Sequence, residues 1–82
     1  MKNHQLFAFI LKSIGAETKF RKSGDVYKTY TSNIQYIFDT SKQRITCVKP
    51  ITVFNGHEYA KHYVNEQYAI TENNGRIGLS RV

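Results

Sequence analysis

Three histidines, one cysteine and six acids are the side chains from which a catalytic or metal centre would have to be built. His57 and His62 sit in the run His57-Glu58-Tyr59-Ala60-Lys61-His62. A zinc-protease helix places two His four residues apart on one face. A spacing of five instead turns the second ring about 140° around a helix, and Lys61 adds a cation beside it. Cys47 falls in a segment that reads as a strand, with no designated base near it. A free Cys of that kind behaves as a small buried hydrophobe. A nucleophile would need a lowered pKa and an oriented His. The acids are scattered, so no general acid–base pair is indicated. Gly15, Gly24, Gly56, Gly75 and Gly78 stand in cap, turn or tail contexts, and none builds a phosphate-binding loop. These residues predict a protein with no enzymatic centre, no metal and no cofactor, which acts by binding.

One stretch has the composition of a binding surface. It runs Lys19, Phe20, Arg21, Lys22, then Tyr27, Lys28, Tyr30, then Tyr36 and Phe38, and ends at Arg44. Cations attract phosphates, and exposed rings stack on unpaired bases. Lys19, Arg21, Lys22, Lys28 and Arg44 are the candidate phosphate or partner contacts, and Tyr27 and Tyr30 the candidate stacking or polar contacts. Phe20, Tyr36 and Phe38 read more readily as core. The charge distribution points the same way. Residues 1–50 hold nine basic side chains against three acids, and residues 51–82 hold three against three, so the whole net charge of +6 lies in the first part of the chain. Such asymmetry suits a polyanion or an acidic protein surface. Ordinary solubilising charge is the competing account.

The elements that position these residues must fit into 82 residues, one domain's worth. Its core is thin, and six Tyr and five Phe supply much of its bulk. With Cys47 alone, no internal disulfide can form. The apolar run Leu6 to Leu11 is too short to span a bilayer and lacks a small-residue cleavage site. A cytoplasmic protein of a bacterial host, without a membrane partner, is expected. Lys, Asn, Ile, Tyr and Phe are abundant, as AT-rich genomes of low-GC bacteria and their phages favour.

Leu6, Phe7, Ile10, Leu11 and Ile14 share one stripe at the helical period and predict a helix over Asn3 to Ile14, capped by Asn3 and ended by Gly15. Phe9 lies just off the stripe, with the core favoured over an exposed position. Tyr-, Thr- and Val-rich segments then alternate with turn signals: Thr18–Lys22, the turn Ser23-Gly24-Asp25, Val26–Thr31, the turn Ser32-Asn33, Ile34–Asp39, and Arg44–Lys49. They read as an antiparallel meander that Pro50 closes. Asn55 and Glu58 have the spacing of a capping box, with Phe54 and Tyr59 placed as a hydrophobic staple, and predict a second helix. Asn55-Gly56 as a hairpin turn is the competing reading. Asn74-Gly75 is a further turn, with a short edge strand or tail from Arg76 to Val82. The fold class expected is α+β, α-β-β-β(-β)-α(-β), an antiparallel meander with two helices packed on one face.

That plan resembles the α-β-β-β-α architecture of double-stranded-RNA-binding domains and of small toxins built like them. The resemblance implies architecture only. The start of the second helix, His57-Glu58-Tyr59, is not basic, and the turn Ser23-Gly24-Asp25 carries no His. The function expected is a small non-enzymatic nucleic-acid-binding regulator or accessory protein, of the kind phages and mobile elements encode, binding DNA or RNA through phosphates with weak sequence preference. The alternative is a phage-type inhibitor that sets the same basic face against a host enzyme or defence complex, or pairs the edge after Asn74-Gly75 with a partner strand. A homodimer burying Phe9 and the Tyr-rich face is a third arrangement.

Overall fold

A computed structural model describes residues 2–30 and 33–82. The expected Thr31 strand end and the Ser32 half of the Ser32-Asn33 turn lie outside the described residues. The chain forms helix α1 (Asn3–Ser13) and six strands: β1 (Phe20–Ser23), β2 (Val26–Thr29), β3 (Gln35–Asp39), β4 (Arg44–Phe54), β5 (Tyr59–Asn73) and β6 (Arg76–Arg81). The strands build one antiparallel sheet in the order β1-β2-β3-β4-β5-β6.

α1 starts one residue earlier than Asn3 capping would have it. Lys2 occupies the cap, and its N–H donates to Gln5 Oε1 at 3.1 Å. The end is a Schellman closure. Gly15 takes φ +77°, its N–H donates to Lys12 O at 3.2 Å, and the Ala16 N–H donates to Leu11 O at 2.8 Å. Phe7, Ile10 and Leu11 from the helical stripe are buried, while Ile14 and Phe9 are exposed. The core preference for Phe9 is thus corrected: the helix is covered on one side only, and Phe9 points off that side.

Register decides which sheet residues meet the helix. Phe20, Tyr27, Phe38, Ile45 and Cys47 fall on one face. Phe7 enters this face and packs edge-on to Phe20, with centroids 5.0 Å apart, and against Phe38 at 5.6 Å. Thr29 is the buried polar residue there. Its Oγ1 accepts the Tyr36 N–H at 2.8 Å, a side chain standing in for the sheet ladder.

The second helix of the expected fold is absent. Residues 59–73 are β5, and one short helix, not two, covers the sheet. The contacts that suggested a helix exist, but in a hairpin. Asn55 Oδ1 accepts the Glu58 N–H at 3.0 Å and the His57 N–H at 3.2 Å, Gly56 takes φ +99°, and the Asn55 N–H donates to Glu58 O at 3.1 Å. Phe54 and Tyr59 do meet, with ring centroids 5.1 Å apart, as a directly opposed cross-strand pair. An Asx turn and a helix cap use the same side-chain bond, so the local signature does not separate them. Pro50 does not close the sheet either. β4 runs through it to Phe54, because β3 pairs with β4 only as far as Val48 and the edge beyond is free. The architecture shared with double-stranded-RNA-binding domains lapses with the second helix.

The β4–β5 hairpin therefore projects as an arm beyond the helix and the first three strands, and the molecule measures 51 × 24 × 22 Å. Where the helix cover ends, Lys49 Nζ lies 3.2 Å from Glu66 Oε2, and Tyr68 Oη donates to the same oxygen at 2.7 Å.

Candidate nucleic-acid interface

The sheet face opposite α1 has no covering layer among the described residues. Strand alternation and the paired register place Arg21, Lys28, Ile37, Thr46 and Gln67 across it, one per strand from β1 to β5. Arg44 lies on the same face, opposite Asp39 on β3 and Ala69 on β5. Lys19 and Tyr30 continue the β1–β2 register outward, joined by the Tyr30 N–H donating to Lys19 O at 3.2 Å. Half-buried Val26, Ile37 and Val48 form the floor between the cations.

The sequence-predicted residues thus divide. Lys19, Arg21, Lys28, Tyr30 and Arg44 come together on the open face. Lys22 is exposed but pairs with Tyr27 on the helix side, at the end of the first hairpin. Tyr27 is placed differently from its expected role as a stacking ring. It is 9% exposed and its ring packs among Phe7, Phe20 and Phe38. β2 alternates, so the Tyr27 side chain must go in if Lys28 goes out. Tyr30 is 57% exposed, and the Arg21 guanidinium carbon sits 4.7 Å from its ring centroid. That contact orients the guanidinium while leaving its N–H edge for another acceptor.

Two electrostatic features stand out. Arg21 and Lys28 are directly opposite each other on adjacent strands. Like charges so placed destabilise a sheet, and neither forms an ion pair among the described residues; the salt bridge found there is Lys49–Glu66. Asp39, opposite Arg44, is the acid on this face. Its carboxyl is held below the ordinary carboxylate range by the Ser41 hydroxyl, opposed by desolvation and helped by the Lys42 and Ser41 N–H groups and the Lys42 charge.

The remaining reactive groups are not gathered. No cluster of three or more His, Cys, Asp or Glu able to hold a metal occurs among the described residues. His57 stands in the arm's turn, and His62 is on the helix-side face of β5, opposite Ile51. The Cys47 thiol is raised by burial, lowered by the Lys49 charge and the Tyr36 hydrogen bond, and raised by the Glu66 charge, with a net upward shift. It is held as the thiol, which is the poor nucleophile.

The structure also adds residues to the open face that sequence reasoning assigned to a helix. Tyr59, Lys61 and Tyr63 lie on it along the arm, opposite Phe54, Thr52 and Pro50. The period-2 reading Tyr59, Lys61, Tyr63, Asn65 was the signal that would have found them. No protein-family model, curated protein or solved structure matches the chain. No helix among the described residues is long and apolar enough to cross a membrane.

Proposed function

We propose that this protein binds nucleic acid through the open face of its sheet, with Lys19, Arg21, Lys28 and Arg44 contacting phosphates and Tyr30 stacking or hydrogen-bonding beside them. The opposed pair Arg21–Lys28 carries this reading. A sheet that held two cations face to face for solubility alone would be stabilised by making either an acid. A polyanion laid across β1 and β2 removes the repulsion by neutralising both. Phosphate contacts fix position and not sequence, so the preference among sequences is weak. Among the described residues no acid, base and nucleophile converge on this face, and the proposed role is binding without reaction.

Arg21→Glu and Lys28→Glu, made separately, test it. Each converts the opposed pair into an attractive one, so melting temperature holds or rises. Anisotropy titrations with labelled single-stranded and duplex DNA and RNA should show affinity falling about tenfold or more. The slope of log affinity against log salt should flatten by about one per lost contact. Unchanged affinity in both variants would falsify the assigned face. Absence of binding to all four polymers at low salt would remove nucleic acid altogether and direct the basic face to an acidic protein surface.

A further inference from the structure

The arm leaves a length of sheet edge unpaired. β6 pairs with β5 from Asn73 back to Tyr68, and the Val82 N–H closes that ladder on Gln67 O at 3.0 Å. From Tyr59 to Glu66, β5 has β4 on one side and no strand on the other among the described residues. The uninterrupted register from Arg44↔Ala69 to Phe54↔Tyr59 leaves no bulge. The side to which each backbone group points is therefore fixed by alternation. The Ile70 N–H donates toward the β4 side, to Gln43 O, while Gln67 O accepts on the β6 side. Even-numbered residues of β5 thus face β4. Tyr59, Lys61, Tyr63 and Asn65 direct their N–H and C=O groups outward.

The other edges are protected. The free part of β4 directs Pro50, Thr52 and Phe54 outward by the same parity, and Pro50 has no N–H to offer, a common way to blunt an edge. β1 has four residues, two of them Arg21 and Lys22, and β6 carries Arg76 and Arg81 at its ends. The β5 edge has no proline and one cation, Lys61. It also lies in an apolar setting. Phe54, Tyr59 and Tyr63 are 59%, 74% and 67% exposed, which at ~200 Å² per ring leaves on the order of 400 Å² of ring surface in water. Ile51, Val53 and Val64 are exposed as well. A standard interface takes about 800 Å² from each partner, and a lone two-stranded ribbon is marginal in water.

We infer that the free edge of β5 pairs antiparallel with the same edge of a second copy of this chain, giving a two-fold dimer with one continuous sheet, β4-β5-β5-β4, at its centre. Charge selects a second copy as occupant. The chain carries +6, yet residues 50–65 hold Glu58 and Lys61 and no other formal charge, so the arm is where two copies meet without net repulsion. A two-fold axis at His62 sets Tyr59 opposite Asn65 and Lys61 opposite Tyr63 of the second copy. All four outward residues are used, each opposed pair exchanging two N–H···O bonds, and Lys61 never faces Lys61. The axis leaves the basic faces of the two bodies at opposite ends of the dimer, and the arrangement does not depend on what those faces bind.

The test is light scattering after size exclusion, on nuclease-treated protein at high salt, across a dilution series. The expected mass is twice 9.5 kDa at the upper concentrations, falling toward the monomer on dilution. Tyr63→Pro removes an outward N–H that has no strand partner among the described residues, and should weaken self-association about tenfold or more, each hydrogen bond being lost twice by symmetry. Thr52→Pro makes the same change on the β4 edge and should leave the dimer intact. Hydrogen exchange needs no variant: the Lys61, Tyr63 and Asn65 amides should become protected as concentration rises, while those of Thr52 and Phe54 stay fast. A monomer at every concentration, or loss of the dimer on Thr52→Pro with no concentration-dependent protection at Lys61, Tyr63 and Asn65, overturns the inference.

Discussion

At the scale of single residues, two kinds of polar group do different things. Glu66, Lys49 and Tyr68 form a closed set at the margin of the core. The Glu66 carboxyl is lowered first by the Tyr68 hydroxyl and then by Lys49, and the Lys49 ammonium is raised by its hydrogen bond to Glu66. A carboxylate depressed in the folded state adds stability that is fully present above the unfolded glutamate value of about 4.3 and is lost as pH falls through the lower folded value. Urea midpoints for Glu66→Gln should therefore lie below the parent near neutral pH and converge with it toward the acid limit. Curves offset equally at all pH would show that packing, not ionisation, is the contribution. Arg21 and Lys28 are the opposite case, two cations with no acid to quench them. Cys47 belongs with the core: burial holds its thiol neutral, opposite the Glu66 position on β5.

At the scale of elements, the arm is where the chain departs most from its local signals. Asn55, Gly56 and Glu58 make the turn, and Gly56 has open space around a would-be Cβ, so Ala there meets no neighbour. The cost of Gly56→Ala is then purely conformational, since φ +99° lies outside the regions an L side chain adopts readily. A strain of order 1–3 kcal/mol falls on the arm, which packs against no helix. In dilute solution, amide exchange at Val53, Ala60 and His62, the inward-facing positions of the arm, should quicken about fivefold or more, while amides at Phe38 and Ile45 hold. Uniform acceleration across the sheet would mean that arm and body unfold as one. α1 shows the contrasting behaviour: Phe7, Ile10 and Leu11 of the stripe are buried and Gly15 makes the closure, with the helix ending at Ser13, one residue short of the expected Ile14.

At the scale of the whole molecule, the body rests on one aromatic cluster. Phe7, Tyr27 and Phe38 pack mutually with Phe20 at their edge, and Ile10, Leu11 and Ile45 complete the layer. Truncating a buried Phe costs about 3–5 kcal/mol, against about 5–15 kcal/mol for a typical small domain. Phe7→Ala should thus lose most or all of its cooperative thermal transition by circular dichroism, since α1 has no second anchor of comparable size. A melt shifted by only a few degrees would show that Ile10 and Leu11 hold the helix without it. Charge and hydrophobicity are also partly separated across the molecule: Lys19, Arg21, Lys28 and Arg44 share the body's open face, while the arm balances Lys61 against Glu58 and exposes Phe54, Tyr59 and Tyr63.

What the sequence determined by itself was local. Helical spacing in residues 6–14, the turns at Ser23-Gly24-Asp25 and Asn74-Gly75, and the concentration of cations in residues 1–50 are all readable without a fold, because each depends on neighbours a few positions away. Which side each cation faces was readable only in part. Arg21 and Lys28 follow from alternation once β1 and β2 are known, but Tyr27 could be assigned to the core only when Phe7 arrived from the helix to meet it. Residues 55–73 needed tertiary structure outright. Asn55 and Glu58 make the same bonds in a cap and in a hairpin, and Tyr59, Ala60, Tyr63 and Val64 fit a helical face as well as two strand faces. The long-range partner, β4 continuing past Pro50 to Phe54, decided it, since eleven aligned residue pairs of β-ladder from Arg44↔Ala69 to Phe54↔Tyr59 pair the facing backbone groups of both segments at once.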